Sequence, residues 1–482
     1  MAIGTISFLQ YPVANSGKRP VITNWTPIVP YSVKQTDISG LFYFKFILEI
    51  RITDASGTLL AKLKQKKNPS TTGTTNVNAI FDLKDIVNTQ LKTQVADYNS
   101  DTGSIHLLGA NDATKVFSLN TSQLLQIYVK AYQEYSDSAT TSPTENAGVN
   151  VTDTLFYIPA SLDLNTERST THFQGTGIEQ YKLKDISKKV LSDIEESYSD
   201  VVGSSVRHNI IRSTDYHTVG FLNGQDDFQS TGWYWQLKYY DAANAKIGST
   251  QELINDNSNG GAKPNSSGGE VSLDTERLIY FGCGPANLQA YDDGGSNTHR
   301  PSNFTDWAYY SIQAFDNSIA SEVEVQKSTL YYFVRNDDNC KGYDIRRLAW
   351  INSKGCWDYF NFTKKSTQTL KVERDNYQTM IGDFNRTKYL YNNFEGGKKV
   401  SRTTASLSET LNTDWITEDE AVLLENLMKA TKVNIVENDY TTYTVPVLIK
   451  DSSFVKKTSV NDRLKIRYTI QIEYANRVNT NS

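Results

Sequence analysis

The stretch RRLAWINSKGCWDYFNF, from Arg346 to Phe362, constrains the fold most, because two aromatic-rich segments meet there across one legible turn. Asn352, Ser353, Lys354 and Gly355 suit a type I turn with Asn first and Gly last, in the left-handed slot that a residue without Cβ fills cheaply. The spacing predicts a β-hairpin with a bulge-type loop. In that register Trp350 lies across from Asp358, Leu348 from Phe360 and Ile351 from Trp357, so both faces carry large apolar groups. Such a pair must be covered twice, at the centre of a domain or against another subunit, since left bare it would aggregate.

Upstream, LFYFKFILEIRITDASG alternates Phe42, Phe44, Phe46, Leu48 and Ile50 with Tyr43, Lys45, Glu49 and Arg51, the period of a half-buried strand. Phe81 to Leu91 fits a short helix capped by Asp82. Much later, WYWQLKYYDAANAKIG repeats the plan: Trp233, Trp235, Leu237 and Tyr239 alternate and run into an Asp-Ala turn. The endings SQLLQIYVKAYQEYSDS with DTLFYIP and TDWAYYSIQAFDNS with STLYYFV match as well. These echoes fit either a duplication or the ordinary similarity of two sandwiches. The expected fold is mainly β: two β-sandwich domains of immunoglobulin or fibronectin type, then an α+β domain with an antiparallel sheet.

The expected boundaries are an N-terminal arm at 1–35, a first sandwich at 36–165, a connector at 166–225, a second sandwich at 226–340 and an α+β assembly domain at 341–482. In the last of these, Thr417 and Glu420 form a capping box, and Ala421, Leu424, Leu427 and Met428 line one helix face. Further on, Leu464, Ile466, Tyr468, Ile470, Ile472 and Tyr474 alternate with polar residues, predicting a strand with one face in the core.

Composition agrees with strands, since 29 Tyr, 19 Phe and 7 Trp stand against 3 Met and 11 Pro in 482 residues. Net charge is −5, with Lys and Arg scattered, which argues against direct nucleic-acid binding. No secretory leader and no apolar run of about 18 residues is read, so a soluble product without membrane insertion is expected. Three cysteines without a CxxC pair predict free thiols.

Candidate chemistry is sparse. The five histidines show no metal spacing, and Asp337, Asp338, Asn339 and Asp344 lack the distal Glu of a calcium loop. Asp215, Tyr216 and His217 place an acid beside an imidazole, but strand neighbours point to opposite faces, and a polar surface run is the expectation. Cys283, flanked by glycines in FGCGP, reads as a loop thiol. No phosphate-binding glycine loop or nucleophile elbow occurs. The expectation is no enzyme, no catalytic residue, no cofactor and no metal. Trp233, Tyr234, Trp235, Trp307, Tyr309 and Tyr310 could stack on sugar rings, although alternation places half of them in a core.

The hairpin resembles the pattern R-L-x-W-x-N-x-x-G-x-x-D-x-F-x-F of virion tail proteins from tailed bacteriophages that infect Bacteroidetes, the crAss-like group among them. The segments DWITEDEAVLLENLMKATKV, VPVLIKDSSF and IRYTIQIEYANR are similar to the remainder of that domain; Cys356 and Trp357 depart from it where a second glycine is common. The motif carries no catalytic residue. What the resemblance implies is a structural tail subunit, a ring, hub or adaptor present in many copies in a cyclic assembly. It would be made in the host cytoplasm and reside in the virion tail, with copies of itself and other tail or portal-proximal proteins as partners. Trp350, Gly355, Trp357, Asp358 and Phe360 would form an assembly hairpin. The alternative is a carbohydrate-binding adhesin or receptor-binding protein on the virion.

Overall fold

The computed structural model describes residues 5–10, 21–23, 30–69, 77–90, 105–158 apart from 111, 112, 115 and 120–124, 181–194 apart from 184, 209–223, 233–254, 277–317 apart from 293, 295 and 296, 324–337, 342–416 apart from 385 and 391–396, 418–436, 444–455 apart from 452, and 466–475. The chain is mainly β and divides into two units, Met1–Asp337 with Ile351–Asp358, and Asp338–Trp350 with Tyr359–Ser482.

The first unit holds two sandwiches. In the first, β1 (Ile6–Gln10), β3 (Pro30–Gln35), β7 (Val77–Asp82) and β6 (Asn68–Pro69) form one sheet in that order. The facing sheet runs β2 (Val21–Thr23), β10 (Thr144–Ile158), β9 (Leu125–Ser136), β4 (Phe42–Ile52) and β5 (Leu59–Lys66). These are the A-B-E-D and G-F-C-C′ orders of an immunoglobulin sandwich, with β2 added parallel to β10. The period-two residues Phe44, Phe46, Leu48 and Ile50 of β4 meet Tyr31 and Val33 of β3 and Ala79 and Phe81 of β7 in one core. Helix α1 (Lys84–Gln90) follows β7, its Lys84 N–H bonded to Asp82 Oδ1 at 3.0 Å and its Val87 in the core, as the sequence predicts.

The second sandwich repeats this plan. Strands β12 (Asn209–Ile211), β19 (Tyr331–Arg335), β17 (Tyr309–Asn317), β14 (Trp233–Tyr240) and β15 (Lys246–Ile254) form a sheet in that order, with β12 parallel to β19 and β18 (Glu324–Gln326) paired beside β17. Pairings coincide too: Leu48 faces Ala131 and Ile50 faces Val129 in the first, as Trp235 faces Ala314 and Leu237 faces Ile312 in the second. Both turns after the aromatic strand are held by an aspartate, Asp54 accepting from Ser56 N–H at 2.8 Å and Asp241 from Ala243 N–H at 2.9 Å. Helix α2 (Pro285–Ala290) follows β16 (Arg277–Gly282) as α1 follows β7.

Two strands break the symmetry: β11 (Lys182–Leu183) runs parallel to β13 (Thr218–Asn223), whereas β1 is antiparallel to β3, and the strand at the far edge is borrowed. The other sheet of the second sandwich runs β11 (Lys182–Leu183), β13 (Thr218–Asn223), β16 and β8 (Phe117–Leu119), and β8 comes from the connection between β7 and β9 of the first sandwich. It occupies the D position, antiparallel to β16, with Phe117 stacked on Phe281 at 4.7 Å. The same connection bonds Ile105 O to Thr218 Oγ1 at 3.1 Å and Val116 O to Gly282 N–H at 2.8 Å.

Two expected boundaries are corrected by these sheets. The arm at 1–35 contributes β1, β2 and β3, and Tyr31 and Val33 are 0 % exposed in the first core. The connector at 166–225 contributes β11, β12 and β13, with Ile211, Val219 and Phe221 in the second core. Strands of two to six residues are too short for alternation to register, and that is why both stretches read as linkers.

In the second unit a sheet runs β21 (Trp357–Phe362), β20 (Arg346–Ile351), β26 (Val433–Ile435), β27 (Val445–Ile449), β28 (Thr469–Tyr474), β25 (Lys398–Asn412) and β22 (Lys364–Gln378). Helix α3 (Glu418–Lys429) lays Ala421, Leu424 and Leu427 on it beside Trp350, Leu411 and Ile470. A helix of this length is marginal alone, and each fully buried Leu contributes about 1.5–3 kcal/mol. Ile466, Tyr468, Ile470 and Ile472 are buried as the alternation predicts. Beyond Ser408, β25 loses its bonds to β28, and β22 and β25 continue as a two-stranded arm to the pair Gln378 and Lys398. A short hairpin of β23 (Asp383–Phe384) and β24 (Tyr389–Leu390) sits at its tip. No helix among the described residues is long and apolar enough to cross a membrane.

Candidate functional site: a docked hairpin turn

The turn at 352–355 forms as its residues dictate. Gly355 has φ +81°, its N–H donates to Asn352 O at 3.1 Å, and Asn352 N–H donates to Cys356 O at 2.8 Å. Asn352 does the work of a whole loop: Oδ1 accepts from Lys354 N–H at 2.9 Å and Cys356 N–H at 3.0 Å, while Nδ2 donates to Leu191 O at 2.9 Å.

That last bond docks the turn within the first unit, on the segment 188–194. Thr329 N–H donates to Lys188 O at 2.7 Å and Leu191 N–H to Gly220 O at 2.8 Å, fixing the segment across the second sandwich. It then receives the turn through Ser192 Oγ to Trp357 O at 3.2 Å and Asp193 N–H to Asp358 Oδ1 at 2.8 Å. Lys354 Nζ pairs with Asp193 at 2.5 Å and lies 5.2 Å from the centre of the Tyr181 ring. Cys356 fills the space above Gly220, where an added Cβ would stand 2.5 Å from the sulfur. Trp357 is 0 % exposed and meets the His106 ring edge-on at 4.5 Å. Asn287 holds that histidine's segment, Nδ2 donating to His106 O at 3.1 Å and Leu108 O at 2.7 Å.

Burial governs the charges here. It pushes the Asp358 carboxyl well above the usual range, with Asp193 adding to the rise and Lys354 opposing it. It pulls the Lys354 ammonium down, but Asp193 and Tyr181 outweigh it and the net shift is upward. The Cys356 thiol is pushed up to about 12 by burial, which makes it a poor nucleophile.

The five predicted hairpin residues are divided. Gly355, Trp357 and Asp358 build the docked turn, Trp350 lies in the core of the second unit, and Phe360 is half-buried edge-on to Phe362 at 5.2 Å. The large groups on both faces are covered within the chain, which answers the choice left open by the sequence in favour of a domain centre. Asn352, Asp193, Gly220 and His106 were not legible as a group, because their contacts span from about 140 to 250 residues and no local period encodes them.

Asp215, Tyr216 and His217 are buried, contrary to the surface run expected: Asp215 Oδ2 accepts from Arg212 N–H at 3.0 Å and His217 N–H donates to Asn287 Oδ1 at 2.8 Å. They form a structural turn against α2. Cys283 is buried, its carbonyl accepting from Tyr310 Oη at 2.8 Å. Asp337 accepts from Ser213 N–H at 2.8 Å and pairs with Arg335, while Asp338 and Asn339 lie outside the described residues. Among the described residues no group of three His, Cys, Asp or Glu is placed to hold a metal ion. Tyr234, Trp235, Trp307, Tyr309 and Tyr310 are buried, so none of these rings offers a flat sugar platform; the Trp233 side chain lies outside the description.

No family model matches the chain, and no curated protein matches it. Among solved structures it is similar to squid arrestin at 6 % identity, over 69 % of this chain and 99 % of that one, with a TM-score of 0.15, too low to carry an argument.

Proposed function

We propose that this chain is a non-enzymatic structural subunit of a phage tail, a ring, hub or adaptor component present in many copies in the virion, with other tail or portal-proximal proteins as neighbours. The observation that carries the reading is the docked turn. The residues on which the tail-protein resemblance rests are committed to packing and hydrogen bonds inside the chain, as a building block requires. The strand exchange of β8 supports it, since two sandwiches sharing a strand make a stiffer body than two on a linker. Mass spectrometry and cryo-electron microscopy of purified virions test it. Several copies arranged about the tail axis are expected, and absence from the particle would end this reading.

The adhesin reading has one observation of its own. Trp415, half exposed, lies under the Arg467 guanidinium at 4.0 Å in a cleft of about 540 Å³ that also takes in Lys364, Lys365 and Asp414. An aromatic face beside charged groups suits an acidic sugar. Glycan-array binding that is lost in Trp415→Ala would favour it.

A further inference from the structure

The two-stranded arm projects from its sheet, exposed over most of its length among the described residues. Between Gln378 and Lys398 at its tip and Leu370 and Leu407 nearer the sheet, β22 and β25 pair only with each other among the described residues. An isolated hairpin of this kind is marginal in water. Yet Leu370, Tyr377, Met380, Phe384, Tyr389 and Val400 on the arm and its tip are 46–75 % exposed. So many large apolar groups along one projecting element mark an interaction surface.

Charge points to the occupant. Residues 370–407 carry seven Lys and Arg against four Asp and Glu, a balance of +3 in a chain whose total is −5, so the remainder stands at −8. A basic arm on an acidic body is complementary to another copy of itself. The arm from Leu370 to Gln378 spans about 30 Å at about 3.3 Å per residue, and two strands about 10 Å wide give roughly 300 Å² on each face, so both faces and the tip together approach the roughly 800 Å² per partner of a stable interface.

We infer that the β22–β25 arm clasps a second copy of this chain, its apolar tip and basic strands lying on the neighbour's acidic body. This rests on the reading of the chain as a multi-copy subunit. Because arm and body are different surfaces, two copies can exchange arms reciprocally about a two-fold axis, or the contact can run head-to-tail and close into a ring when the rotation allows. Nucleic acid is the less favoured occupant, since Glu373 and Asp375 interrupt the basic run and Glu373 pairs with Lys371 at 2.5 Å.

Sedimentation of the full chain over a range of concentrations, at low and high salt, tests the inference against two variants. One is Met380→Asp with Phe384→Asp, the other Lys398→Glu with Lys399→Glu; both change the exposed arm, and an unchanged melting temperature checks their folding. The wild type should associate, more weakly at high salt, and each variant should associate about tenfold more weakly or not at all. A wild type that stays monomeric at every concentration overturns the inference, as do variants that associate as tightly as the wild type. Arm-dependent binding of a duplex DNA probe without self-association overturns it too. Presence in virions is read separately: a chain that self-associates through its arm but is missing from particles keeps this contact and loses the tail assignment.

Discussion

The two hairpins of the C-terminal segment stand two residues apart in sequence and differ in almost every physical respect. The strands of the first are six residues long, with Leu348, Trp350, Trp357 and Phe362 fully covered, and its turn is pinned by side-chain bonds to Leu191 and Asp193. The second has strands of 15 residues, mostly Thr, Ser, Lys and Gln, exposed over much of its length. β-propensity favours the first, rich in Trp, Tyr, Phe and Ile, yet the second forms the longer ladder. Covered aromatic area ties the first to its surroundings, whereas the second keeps its ladder and leaves its apolar groups exposed.

Substitutions on the two hairpins sharpen that contrast. Trp357→Ala removes a fully buried ring and its contact with His106, and should cost about 3–5 kcal/mol in denaturant unfolding. Gly355→Val places a β-branched residue at φ +81° and should cost about 1–3 kcal/mol; an unchanged melting temperature would strip the turn of its central place.

Asp358→Asn is smaller and depends on pH. Burial raises the native pKa of Asp358, so its contribution to stability is complete below the unfolded value of about 3.9 and is lost as pH rises towards the native one. Asn keeps the Oδ1 acceptor for Asp193 N–H without titrating. The variant's melting temperature should gain on the wild type's as pH is raised above about 4, and parallel curves would refute the assignment. On the arm, Tyr377→Ala should move the stability of the isolated chain by no more than about 0.5 kcal/mol. A loss as large as that at Trp357 would erase the contrast.

Legibility followed the distance over which a feature is encoded. The Asn352 to Gly355 turn, the Asp82 cap, the paired aromatic strands and the alternation through Ile466 to Ile472 are written in neighbouring residues, and all are present. The arm is hard to read because Thr367 to Lys371 and Thr403 to Ser406 carry only Leu370 and Ala405 among polar residues and show no apolar period. Docking of the turn on segment 188–194 escaped for another reason. A lysine in a turn ordinarily signals solvent, and nothing near Lys354 announces Asp193 as its partner. Of the candidate residues, the sequence located the turn but not what receives it.

The passage of β8 into the second sandwich also sets an order of events during synthesis. Leu119 pairs with Ile279, which leaves the ribosome about 160 residues later, roughly 8–30 s at about 5–20 residues per second. Through that interval the β7-to-β9 connection has no docking site, although the strands on either side of it can already close the first sandwich. The nascent chain thus carries an open strand edge that a chaperone or a second nascent copy can occupy before β16 exists. A chain divided between its two copies would never close that edge, however well each half matched the sandwich pattern.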